Sequence, residues 1–297
     1  DGRPDPAIHD AAMAGLAFLL EAQSEVGGWP QRYPLNGRSY PDFMTLNDNT
    51  MRDCCSVMML AWQEYGEQRF YDAVVRCGEF IIKAQLPAPQ ASWAQQYDAD
   101  LKPAWARRFE PPAVCTGEAF GVMRLLVDIA AFTGDQRFLE PLPAAIEWFE
   151  GNALPNGRRA RFYELKTNRP LYFYAETYML TYDGSNPPTH YSFEGSHYNP
   201  KFAGDLQGIY EVGFENWAEA RQSPRRPSRD EQIAAAEALE EDVRTILAER
   251  TPEGVWTRRG GYGGSDVMHL TMSDVQSKLN ALSDYVGNAT GFPGRAN

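Results

Sequence analysis

Stretches of helical hydrophobic spacing alternate along this chain with loops rich in glycine, proline and aromatic residues. Residues 10–23 place Met13, Leu16, Ala17 and Leu20 on one face at the spacing of an amphipathic helix. The same periodicity predicts helices over 50–65, 69–85, 115–133, 136–150 and 230–249. Ser228, followed by Asp230 and Glu231, reads as the cap and acidic first turn of the last of these. Two-residue alternation is scarce before residue 158. Residues 172–228 break the pattern with Tyr, Pro, Gly and Asn, and a loop of that length is uncommon without a function.

The helical units repeat. Gly66-Glu-Gln-Arg-Phe70 and Gly134-Asp-Gln-Arg-Phe138 are near copies, each lying between two helical segments. The second helix of a unit then ends in a loop carrying Trp or Arg: Trp29, Trp93, Arg161 and Trp256 occupy comparable places. A two-helix repeat of about 65 residues means stacked helical hairpins. The expected fold is therefore all-α, an (α/α) toroid of repeated helical hairpins whose long loops form one cleft. It is expected as a single catalytic domain over 1–297, with an aromatic- and proline-rich insertion at about 172–228.

Composition narrows the function. With 297 residues and 43% hydrophobic content the chain can bury a sizeable core. A net charge of −12 argues against nucleic acid as a partner, because phosphate binding needs a broad basic surface. No run approaches the ~20 apolar residues that span a bilayer. Cys54, Cys55, Cys77 and Cys115 lack metal-binding spacing and read as buried thiols, with a Cys77–Cys115 disulfide as the alternative. The chain begins Asp-Gly-Arg-Pro, the pattern expected of a mature secreted or periplasmic protein, and a monomer is expected.

Against the acidic background, residues 158–170 carry Arg158, Arg159, Arg161, Lys166 and Arg169 with one carboxylate, Glu164. Pro170 biases Arg169 toward an extended conformation. Asn47-Asp48-Asn49 and Asp98 supply oxygen donors of the kind calcium takes, and the four histidines are too scattered to signal zinc. Asn47-Asp48-Asn49-Thr50 before an apolar helix is also an ordinary N-cap sequence. Trp93-Ala-Gln-Gln-Tyr97 suits either loop packing or a sugar-lined cleft, and Trp29, Trp93 and Trp256 read as core or as stacking platforms. Arg107, Arg108 and Glu110 read either as site residues or as a surface pair.

Five motifs in order, Gly-Gly-Trp29-Pro-Gln, Thr45-Leu-Asn47-Asp48-Asn49-Thr-Met51, Trp93-Ala-Gln-Gln-Tyr97-Asp98, Arg108-Phe-Glu110-Pro-Pro and Glu164-Leu-Lys166-Thr-Asn168-Arg169-Pro170, resemble polysaccharide lyase family 10, the α/α-toroid pectate lyases. The resemblance covers about residues 15–175, and residues 176–297 depart from it. It implies calcium-dependent β-elimination on polygalacturonate with an arginine base. On that resemblance Asp98, Asp48 and Asn49 are the Ca2+ residues and Arg169 the base. Lys166 is the chemically easier base, because lysine gives up its proton more readily. Trp93, Arg161, Asn168, Arg108, Arg258 and Arg259 are the expected contacts to an acidic polysaccharide. Two rivals stand beside this reading. One is a Tyr/His pair drawn from Tyr191, His197 and Tyr198. The other is a glycoside hydrolase using Asp98 with Glu110 or Glu118.

Overall fold

The computed structural model describes residues 6–37, 40–222, 227–262 and 265–290. It is mostly helical, and among the described residues ten short strands depart from the all-α expectation. The chain groups into two compact units, 1–222 and 223–297.

In the first unit the helices are α1 (Pro6–Ala22), α2 (Thr50–Tyr65), α3 (Gln68–Ala84), α4 (Thr116–Thr133), α5 (Leu142–Gly151), α6 (Lys201–Val212) and α7 (Phe214–Gln222). The first four follow the predicted spans closely. The expected 136–150 helix is split into a 3-10 turn (Gln136–Leu139) and α5, because Pro141 and Pro143 cannot continue a helix. The insertion is not all loop, since α6 and α7 occupy 201–222. The near-copied Gly-x-Gln-Arg-Phe motifs have a physical reason. Gly66 and Gly134 end α2 and α4 in the left-handed region (φ 66° and 69°), and their N–H groups donate to Trp62 and Ala130 carbonyls. Phe70 and Phe138 then bury fully in the core.

The strands carry the loops. β1 (Met44–Thr45) pairs antiparallel with β2 (Gln96–Tyr97). A sheet of order β3-β5-β6-β7 joins β3 (Val114–Cys115), β5 (Phe162–Tyr163), β6 (Pro170–Phe173) and β7 (Leu180–Thr181). β4 (Arg159–Ala160) pairs with β8 (Glu194–Gly195). All four cysteines are free, and Cys55, Cys77 and Cys115 are buried.

Each loop is tied to the helix before it. The indole N–H of Trp29 donates to the Leu19 carbonyl at 2.8 Å, that of Trp93 to Ile81 at 2.8 Å, and the Arg159 guanidinium to Phe149 at 3.0 Å. These carbonyls belong to last helical turns, which lack intrahelical donors. Trp93 is therefore a core residue with no exposed ring, which corrects its expected role as a sugar platform.

The second unit holds α8 (Arg229–Ala248), β9 (Arg258–Tyr262), β10 (Ser265–His269) and α9 (Met272–Thr290). The predicted cap of α8 is a full capping box between Ser228 and Glu231. Helix α9 is not marked by the periodicity. Trp256 donates to the Ile246 carbonyl at 2.7 Å, the same tie as in the first unit.

Helices α3 and α4 lie close to the 3-10 turn around Phe138, and Gly78 of α3 makes that possible: a Cβ there would sit 2.3 Å from a Phe138 ring carbon. Alanine ordinarily gains about 1 kcal/mol over glycine in a helix. The clash reverses the sign, and Gly78→Ala is expected to cost about 1–3 kcal/mol in a denaturant melt.

Candidate active site

Asp48 and Asn49 form the entrance to α2 with consecutive left-handed backbones (φ 53° and 58°). Neither has the glycine that this region favours, and such strain concentrates at functional sites. The N-cap reading fails here: Asn49 is the cap residue but makes no capping hydrogen bond. Both side chains are exposed, and Asn47 Nδ2 donates to Asp48 Oδ2 at 3.0 Å.

Arg107 joins this turn to the next loop. Its guanidinium donates to Asp48 at 2.8 Å and to Glu110 at 3.0 Å. Glu110 is 1% exposed, so it is no surface pair; it also accepts from the Arg107 backbone N–H and from the Tyr191 hydroxyl at 3.2 Å. The hydrogen bond to Asp48 is the largest influence raising the Arg107 pKa.

Arg161 completes the group. It follows β4 and lies beside the N-terminus of α4, where Thr116 N–H donates to its carbonyl. Its guanidinium pairs with Glu118 at 3.3 Å, lies 3.4 Å from the Tyr191 hydroxyl and stacks over the Tyr191 ring at 4.4 Å. Burial works against the Arg161 charge, but Cys115, Tyr191 and Glu118 outweigh it and its pKa is raised. Burial raises Glu118 to about 6; Arg161 opposes this, while Asp48 and Glu110 add to it. Burial likewise pushes the Tyr191 hydroxyl up. One contiguous network thus links Asp48, Arg107, Glu110, Tyr191, Arg161 and Glu118.

The other expected site residues lie elsewhere. Asp98 Oδ1 accepts from the backbone of Asp100 and Lys102, both at 2.9 Å, closing its own turn. That gives the aspartate a structural role in its own turn, next to the end of β2 that faces Met44, whereas Asp48 lies past Thr45 at the other end of the β1–β2 pair. Asn168 Oδ1 accepts from Gln90 at 2.7 Å and Trp148 at 2.9 Å, so it braces its hairpin. Lys166 and Arg169 are exposed on the β5–β6 hairpin loop, beyond the end of β5 opposite to Arg161. Arg169 stacks on Tyr182 at 3.3 Å. Arg159 is buried as a helix tie. The apparent cationic cluster is therefore dispersed over different faces. Arg108 donates to the Thr177 carbonyl at 2.7 Å and stacks over Tyr178. Arg258 and Arg259 belong to β9 of the second unit, and their side chains lie outside the described residues.

The Tyr/His candidates also separate. His197 contacts Thr116 Oγ1 at 2.7 Å, and burial lowers its pKa to about 4. Tyr198 is buried, stacked on Phe149 and hydrogen-bonded to Glu150. Tyr191 alone of the three reaches the acidic network. The sequence offers Arg107 only together with Arg108 and Glu110, as site residues or a surface pair, and neither its type nor its spacing distinguishes it from Arg108.

Glu118 makes the network visible in stability. A carboxyl raised from 4.5 to about 6 in the fold binds its proton more tightly folded than unfolded. Its favourable contribution is full below pH 4.5 and is lost as pH rises through about 6, a change of about 2 kcal/mol. Denaturant unfolding on either side of pH 6 should show that loss in the wild type relative to Glu118→Gln.

Residues 5–160, more than half the chain, match the family model described as pectic acid lyase. A family 10 polysaccharide lyase from Cellvibrio cellulosa is similar in structure, with a TM-score of 0.57, 25% identity and coverage of 71% of this chain and 74% of that one. A mutant of a family 10 lyase from Cellvibrio cellulosa in complex with trigalacturonic acid gives a TM-score of 0.57 at 24% identity, covering 70% of this chain and 75% of that one. No curated protein sequence matches the chain. This chain belongs to the pectic acid lyase family and is a polysaccharide lyase.

Proposed function

We propose that the protein cleaves polygalacturonate by calcium-assisted β-elimination, with Asp48 and Glu110 on the cation side and Arg161 as the base. The observation that carries this reading is the single guanidinium of Arg107 held between Asp48 and Glu110, with Arg161 linked to Glu110 through Tyr191. The substrate follows the family and the trigalacturonic acid bound by the similar Cellvibrio enzyme. The same likeness supports closure of the hairpins into a toroid.

The donors fit a hard cation. Two carboxylates from separate loops already converge on one positive group, and Asn49 stands beside them with an exposed amide. Among the described residues no group of three or more acidic, His or Cys side chains gathers, so amide, water and substrate oxygens would complete the six to eight that calcium takes. Bound there, calcium would withdraw charge from the uronate carboxylate and acidify the C5 proton.

Arg161 is the arginine whose position suits proton removal. Its side chain is 17% exposed, so burial disfavours its charged form, while Cys115, Tyr191 and Glu118 sustain that charge. Once the guanidinium has given a proton to solvent, its neutral nitrogen would take the C5 proton; the C5–H electron pair would form the C4–C5 double bond as the C4–O4 bond breaks, with water protonating the departing oxygen. Arg169 makes no contact with the acidic network, which is why we move the role from it to Arg161. The hydrolase alternative loses Asp98 to its own turn.

Polygalacturonate turnover, followed by ultraviolet absorbance of the unsaturated product, tests this. Wild-type activity should vanish with EDTA and return with calcium. Arg161→Ala should lower kcat by about 10²–10⁴-fold, and Arg169→Ala should keep it. Full activity in Arg161→Ala would sink the assignment.

A further inference from the structure

The hairpin bearing Lys166 and Arg169 is not used by the elimination site, yet it borders a cavity of about 380 Å³. Pro170 and Tyr172 line it from β6, two residues apart and so on one face of the strand. Tyr182, Glu194, Asn156 and Gly184 complete the lining that matters here. Glu194 stands opposite Ala160 across β4–β8, and Asp48, Glu110, Tyr191, Arg161 and Glu118 are not among the residues that line the cavity.

Its polar groups are arranged in advance. Glu194 accepts from Tyr172 at 2.8 Å and from Asn156 at 3.3 Å, one bond to each oxygen. Tyr182 donates to Glu164 at 2.6 Å, and Thr167 donates to the other oxygen of Glu164. Hydroxyls, not the neighbouring cations, therefore satisfy Glu164. The Arg169 guanidinium carbon lies 3.3 Å from the centre of the Tyr182 ring, and among the described residues neither it nor Lys166 is held in an ion pair. Gly184 has no room for a side chain, since a Cβ would meet the Tyr172 ring at 2.8 Å. The Tyr182 ring, ordered acceptors and the Arg169 guanidinium beside them are features that recognise a pyranose carrying a carboxylate.

We propose that this cavity is a second uronide-binding site, separate from the elimination site, which anchors a further stretch of the acidic polysaccharide. The ligand class rests on the substrate proposed above. The location rests on the cavity alone. Occupancy would explain why the loop keeps unpaired cations in a protein of net charge −12.

The full chain is compared with Tyr182→Ala and Arg169→Gln on polygalacturonate and on trigalacturonic acid. Each variant should raise KM for the polymer about fivefold, with kcat unchanged and the trimer rate untouched. An unchanged polymer KM, or a fall in kcat on both substrates, overturns the proposal. Electrophoretic mobility in EDTA-containing gels with and without polygalacturonate supplies a readout that needs no turnover. Retardation of the wild type by the polymer should weaken in both variants. Equal retardation of all three proteins overturns the second site, even if the wild type proves unable to cleave this polymer. Loss of cleavage with variant-sensitive retardation would instead overturn only the elimination reading.

Discussion

A side-chain N–H given to the last turn of the preceding helix is the constraint on which the rest depends. Trp29, Trp93 and Arg159 each tie a loop to α1, α3 and α5 in this way. A hydrogen bond of this kind contributes about 1 kcal/mol net, but its loss would leave a helical carbonyl orphaned in the core. In the second and third loops a tyrosine four residues on closes the turn. Ala94 N–H donates to Tyr97 at 2.7 Å and Ala160 N–H to Tyr163 at 3.1 Å. Two residues after the tie, the chain then presents Gln95 in one copy and Arg161 in the next. The repeat thus delivers a guanidinium to a position that an earlier unit fills with an amide.

With the loops pinned, the acids come together at small cost in freedom. Pairing of β1 with β2 brings the Asp48 turn beside the loop after Trp93, and Leu46 N–H donates to the Gln95 carbonyl at 2.9 Å. Arg107 then spans from an exposed Asp48 to the buried Glu110. A buried carboxylate without a cation would be strongly unfavourable, so this bridge also secures the loop between β2 and β3. The left-handed backbones of Asp48 and Asn49 are strain that this tethering sustains.

Much of this was legible in the sequence, and the losses have physical causes. Helical periodicity located α1 to α4 and α8, and the copied Gly-x-Gln-Arg-Phe motif marked true helix ends. The order of motifs led to the right family. Counting cations by proximity along the chain misled, because β4 ends at Ala160 and the chain bends at Arg161 before β5 and its hairpin: Arg159 points into the core, Arg161 toward Glu118, Arg169 onto Tyr182. The signal that could have singled out Arg161 was the alignment of Trp93-Ala-Gln-Gln-Tyr97 with Arg159-Ala-Arg-Phe-Tyr163. Asp98 is ambiguous for a different reason, since a loop aspartate that closes its own turn looks the same in sequence as one that binds metal. Glu110 was a candidate in the sequence, but its bridge to Asp48 through Arg107 could be recognised only once its burial and its contact with Arg107 were known.

The central claim is that the cation and the elimination belong to the Asp48–Glu110–Arg161 group. Anomalous diffraction from crystals of the full chain grown with calcium and trigalacturonic acid, in an Arg161→Lys background, tests it most directly. The account predicts a calcium peak with Asp48 and Glu110 as ligands and a uronate carboxylate beside it. A calcium peak at Asp98, with the Arg107 bridge between Asp48 and Glu110 undisturbed and the sugar remote from residue 161, would contradict it.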